Sequence, residues 1–130
     1  QRMATALGAA LQHGHELLQR APDCRRRVLD MAGDGRNNEG PGPGQVFAEA
    51  DFAGITVNAL AIGEHESGLR AYFEAEIRRG PGSFVEIADR QSDFPTAMRR
   101  KLLRELAETF AAAPGACDCP PMRPGSSSSR

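Results

Sequence analysis

Between Ala4 and Arg20, apolar residues recur at Leu7, Ala10, Leu11, Leu17 and Leu18, a spacing that lines one face of a helix, and Pro22 ends it. The short run Val28-Leu29-Asp30-Met31-Ala32 breaks at Gly33-Asp34-Gly35 and predicts a strand ending in a loop that continues through Pro43. A second helix is expected over Gln45–Phe52, stopped by Gly54. Ile55–Ile62 is apolar on both of its alternating faces, which predicts a strand covered on both sides. Ser67 is expected to cap a third helix that runs to Ile77 with Leu69, Tyr72, Phe73 and Ile77 on its apolar side. Gly80-Pro81-Gly82 closes it, and Ser83–Ile87 reads as a third strand. Ser92-Asp93 opens the last helix, whose apolar stripe is Phe94, Met98, Leu102, Leu106 and Phe110. Its basic residues Arg99, Arg100, Lys101 and Arg104 are read as the solvated side.

Helices that alternate with strands give an α/β fold: an open parallel, Rossmann-like sheet with helices on both faces. The pattern ends near residue 113. Residues 114–130 are rich in Pro, Gly and Ser and are expected to stay disordered, because such a composition buries too little apolar surface to fold. With 130 residues, 40% of them hydrophobic, one domain with one core is expected. The formal net charge of -1 provides no positive field, so nucleic acid is not expected as a partner. The longest apolar stretch, Ile55–Ile62, is far short of the roughly 20 residues that a membrane helix needs. The chain starts at Gln1 in the approach to a helix and reads as a piece of a longer protein, which leaves its compartment open. Cys24, Cys117 and Cys119 are not expected to form a metal site, since the last two have no histidine nearby.

In open parallel sheets, ligands meet the loops at the carboxyl ends of the strands. Asp34 is expected there, and its flanking glycines keep bulk away from its oxygens, which suits a small hard cation. Asn37 and Asn38 would add neutral oxygens. The competing reading is a tight turn in which backbone amides satisfy Asp34. His13 and His15 are two apart on a helix and cannot clamp one metal from one face, while His65 is expected in a loop near the same strand ends. No nucleophile and base pair with each other and no Gly-x-Ser-x-Gly elbow occurs, so an enzyme is not expected.

The run from Arg26 to Gly40, with Val28-Leu29-Asp30-Met31-Ala32-Gly33-Asp34-Gly35-Arg36-Asn37-Asn38 at its centre, resembles the signature of a bacterial von Willebrand factor A-like family, domain of unknown function 1194. The likeness continues through Ala53–Ile62, Tyr72-Phe73, Gly80–Val85 and Phe94–Leu106. It implies a metal-ion-dependent adhesion site in which Thr5 and Asp34 are similar to the threonine and aspartate that hold a divalent cation, Mg2+ by its chemistry. The Asp-x-Ser-x-Ser element of such domains is absent, and Ala32 stands where the family favours serine. The resemblance therefore implies the carboxyl-terminal part of the domain and a non-enzymatic module that binds an acidic residue of a partner protein. Its Mg2+ affinity should be weaker than that of a complete domain, and a periplasmic or extracellular home is expected, because members of the family are often exported. As an alternative, Gly33–Asn38 also resembles the Gly-Asp-Gly-x-Asn-Asp motif of haloacid dehalogenase-like, magnesium-dependent phosphatases. Asn38 replaces the final acid, and the lysine that this family needs ahead of the turn is absent, the chain's one lysine being Lys101.

Overall fold

The computed structural model describes residues 4–21, 24 and 26–108 in full and 109–111 as backbone. Helix α1 (Leu7–Arg20) leads into strand β1 (Arg27–Gly33), helix α2 (Pro43–Glu49), strand β2 (Ile55–Ile62), helix α3 (Leu69–Glu76), strand β3 (Val85–Ala88) and helix α4 (Phe94–Ala111). The strands lie in the order β1-β2-β3 and all pair in parallel, with Asp30 opposite Asn58 and Leu60 opposite Glu86. This is the open α/β sheet that the alternation of elements predicts.

Because side chains alternate across a strand, β2 and β3 supply both layers of the core. Met31, Ile55, Val57, Ala59, Ala61 and Val85 face one way and are covered by Leu7 and Leu11 of α1, Val46 of α2, and Leu69 and Phe73 of α3. Leu60, Ile62 and Ala88 face the other way, against Ala97, Phe94 and Met98 of α4. Every residue of β2 is buried, as a strand covered on both faces requires. Among the described residues β1 pairs only with β2, so its other edge is bare.

Several boundaries differ from the sequence reading, each for a local reason. Residues 4–6 stay outside α1, held by a loop contact described below. Pro43 occupies the first turn of α2, where its missing N–H is not needed, so that helix starts earlier than Gln45. Ser67 does not cap α3; Gly68 does so in the left-handed region, with φ 75°. Ser83 belongs to the turn before β3, where its hydroxyl donates to the Gly80 carbonyl at 2.7 Å.

The largest correction concerns α4. The expected stripe fails beyond Met98, since Leu102 and Leu106 are 46% and 54% exposed, while Lys101, assigned to the solvated side, is 1% exposed. Lys101 Nζ lies 2.6 Å from both Asp30 Oδ1 and Glu105 Oε1. Asn58 Nδ2 donates to the same Glu105 oxygen at 3.2 Å and Asn58 Oδ1 accepts from Phe84 N–H, so the buried charges are paired and hydrogen-bonded. Arg100 and Arg104 reach Glu86 of β3 on one flank of the helix. Leu102 and Leu106 therefore lie on the opposite flank, toward the bare edge of β1. Phe110 and the tail 114–130 lie outside the residues whose side chains are described. Cys24 is disulfide-bonded, and the chain's other cysteines, Cys117 and Cys119, lie outside the described residues. No described helix is long and apolar enough to cross a membrane.

Candidate functional site

Parallel pairing brings the carboxyl ends of β1 and β2 to one end of the sheet. The loop after Gly33 and the loop after Ile62 leave there, and the segment before α1 is bonded to the first of them. Together they enclose a cleft of about 600 Å3 lined by Thr5, Asp34, Gly35, Arg36, Asn37, Asn38, His65 and Glu66. Thr5 and Asp34, the two residues singled out from the sequence, thus line one cavity.

What brings Thr5 there is the pair of asparagines. Thr5 N–H donates to Asn38 Oδ1 at 2.8 Å, and Asn38 N–H returns a bond to the Thr5 carbonyl at 2.9 Å. Gly8 N–H donates to Asn37 Oδ1 at 3.1 Å, which satisfies one of the free amides of the first turn of α1. Asn37 is fixed in turn by its amide, which donates to the Pro41 carbonyl, and by its backbone N–H, which donates to the Tyr72 hydroxyl. These asparagines, expected to add neutral oxygens beside a cation, each accept a hydrogen bond from the backbone of residues 5 and 8 on their side-chain oxygen, and they act as the clamp that holds the Thr5 segment.

Two glycines make the close approach possible. A Cβ on Gly8 would lie 1.9 Å from the Pro41 carbonyl oxygen, so only glycine lets the loop cross the start of α1. A Cβ on Gly35 would point between Thr5 Oγ1 at 3.2 Å and Glu66 Oε2 at 3.5 Å, which locates both oxygens at the mouth of the Gly33-Asp34-Gly35 turn.

The oxygens of the cleft fall into two groups. Glu66 is engaged: Oε2 accepts from Arg36 N–H at 3.1 Å, and Oε1 pairs with Arg36 Nε at 2.8 Å. The exposed Asp34 carboxylate and the Thr5 hydroxyl make no hydrogen bond or ion pair among the described residues. The reading of Asp34 as a turn residue satisfied by backbone amides therefore finds no donor here. Both free groups are hard oxygen donors of the kind that Mg2+ takes. No group of three or more His, Cys, Asp or Glu able to hold a metal occurs among the described residues, so a cation in this cleft would draw most of its ligands from elsewhere.

His65 lines the cleft, with Nε2 3.9 Å from Glu64 Oε2, as its loop position predicts. His13 is exposed, and His15 Nε2 contacts the Asp51 carbonyl while its ring packs on Phe52, both away from the cleft. Sequence reasoning missed Arg36, Glu66 and Tyr72 as members of one site. Arg36 follows the Gly-Asp-Gly turn directly, and that adjacency was the available signal.

A family model described as "Protein of unknown function (DUF1194)" matches residues 1–110 of the chain. No curated protein and no solved structure matches it.

Proposed function

The chain belongs to the DUF1194 family, and on that premise we propose that it is a non-enzymatic binding module of von Willebrand factor A-like type, whose cleft recognises an acidic residue of a partner protein through a divalent cation. The observation that carries this reading is that Thr5 and Asp34, distant in sequence, present uncommitted oxygens to one cavity at the carboxyl ends of the strands. Mg2+ suits them, since it keeps several waters, needs few protein carboxylates and accepts an outside acidic oxygen. The cation supplies a Lewis-acidic point of attachment when bound; Thr5 and Asp34 hold it, and Asn37 and Asn38 hold Thr5.

We read the sheet as the outer part of a larger one. The bare edge of β1 and the exposed Leu102 and Leu106 beside it support a further strand and helix at that edge, from a segment that carries the missing Asp-x-Ser-x-Ser oxygens. The disulfide at Cys24 supports an oxidising compartment, periplasmic or extracellular. Nothing in the cleft favours the phosphatase alternative: Asn38 is committed to Thr5, and the chain's one lysine is buried between Asp30 and Glu105.

The reading is tested by titrating the chain with a glutamate-bearing peptide while amide resonances are followed, once in excess Mg2+ and once in a chelator. Shifts confined to Thr5, residues 34–38 and residues 63–66, and seen only with Mg2+, are expected. Equal shifts in the chelator contradict it.

A further inference from the structure

Arg36 is built into the rim of the cleft in a way that the cation reading does not use. Its Nε faces Glu66 Oε1 at 2.8 Å, and its guanidinium carbon stands 5.4 Å from the centre of the Tyr72 ring. On the remaining side, a Cβ at Gly68 would lie 3.2 Å from Nη2, so the backbone of the turn before α3 forms a third wall. Tyr72 is itself anchored, since its hydroxyl accepts from Asn37 N–H at 3.2 Å. A carboxylate, an aromatic face and a glycine thus set the plane of a half-exposed guanidinium. Among the described residues, Glu66 is the ion-pair partner of that guanidinium.

A guanidinium held in this way is a pre-organised fork for a planar anion, and little side-chain freedom remains to be lost when it binds. The charges of the cleft decide when it acts. Asp34 and Glu66 against Arg36 leave the lining one formal negative charge, which repels an acidic ligand. A divalent cation inverts that to one positive charge and lowers the repulsion at the same time as it supplies a ligand position.

We infer that Arg36 is the specificity-determining residue of the cleft: once a cation sits at Thr5 and Asp34, its guanidinium takes the second oxygen of the incoming carboxylate. The inference rests on the proposed cation site and assigns the recognition of the acid to a residue outside it. It also has a consequence of opposite sign for the two ligands. Arg36 helps the anion but places a positive charge beside the cation, so its loss should weaken one and spare or strengthen the other.

The test uses the full chain, Mg2+ and acetate as the probes, and Arg36→Gln and Arg36→Lys as the variants, with binding read from amide shifts. In excess Mg2+, Arg36→Gln should lower acetate affinity about tenfold, the scale of one charge-assisted hydrogen-bond pair. Arg36→Lys, which keeps the charge and loses the fork, should fall between. Mg2+ affinity should be unchanged or modestly higher in both variants, whereas a variant that merely damaged the fold would lose both ligands. Acetate affinity that is equal in wild type and Arg36→Gln, with Mg2+ still bound, overturns the role of Arg36 and leaves the cation site standing. A wild-type chain that takes up neither Mg2+ nor acetate overturns the cation site, and the inference with it.

Discussion

Asn38 and Thr5 are bonded to each other twice, once through the Asn38 side-chain oxygen at 2.8 Å and once through the Asn38 amide at 2.9 Å. The reciprocal pair turns a flexible lead-in to α1 into one wall of the cleft. Asn38→Ala keeps the backbone bond and deletes the other. It should lower stability by at least about 1 kcal/mol, the net worth of one hydrogen bond, seen as a drop in melting temperature of a few degrees or more. Cation-dependent shifts at Thr5 should vanish while those at Asp34 persist; their survival at Thr5 would show that the segment is held by something else.

Gly8 and Gly35 make a contrasting pair. At Gly8 the new methyl would meet backbone, which cannot swing aside, so Gly8→Ala should destabilise the fold by roughly 1–3 kcal/mol in a urea melt. At Gly35 it would meet the ends of the Thr5 and Glu66 side chains, so Gly35→Ala should melt near wild type while losing cation response. Equal melting of the two variants would refute the placement of Pro41 over α1.

Much of this fold is legible in the chain. The unbroken apolar run of β2 and the repeated change of period from three-to-four to two required covered strands between helices. What stayed hidden depends on partners distant in sequence. Lys101 lies among arginines and reads as surface until Asp30 of β1 and Glu105 are seen to meet it. Thr5 is a threonine before a helix, and only the family resemblance joined it to Asp34. Asn37 and Asn38 looked like ligands because an amide oxygen beside an aspartate is chemically suited to a cation. Their engagement by backbone N–H groups of residues 5 and 8 has no local sequence signal.

The charge cluster around the buried Lys101 predicts a pH dependence. Glu105 is pushed above the usual carboxylate range, by burial first and then by its neighbour Asp30, against the opposing pull of Lys101. A glutamate whose folded pKa is raised binds more protons folded than unfolded, so its contribution is present at low pH and lost as pH rises. From about pH 4.3, the ordinary glutamate value, up to the raised one, this group should make stability fall with rising pH. Glu105→Gln should flatten that part of the profile in pH-dependent urea unfolding. A slope unchanged by the substitution would assign it to other groups.

Leu102 and Leu106 carry the clearest disagreement between pattern and packing. Were they core residues, as the stripe suggests, alanine at each would cost about 2–5 kcal/mol. Exposed as they are, Leu102→Gln and Leu106→Gln should change stability by no more than about 0.5 kcal/mol. A loss in the core range would return them to the interior of the fold.

The claim on which the function rests is that Thr5 and Asp34 share one cation, and paramagnetic relaxation from Mn2+ in place of Mg2+ tests it most directly, because broadening registers weak occupancy that calorimetry misses. Amide signals of Thr5 and of residues 34–36 should broaden together at the lowest Mn2+ additions and recover in Asp34→Asn, while calorimetry finds no binding of millimolar strength or tighter in this chain. Broadening that spares Thr5, or that centres on Asp30 and Glu105 and ignores the Asp34 substitution, would contradict it.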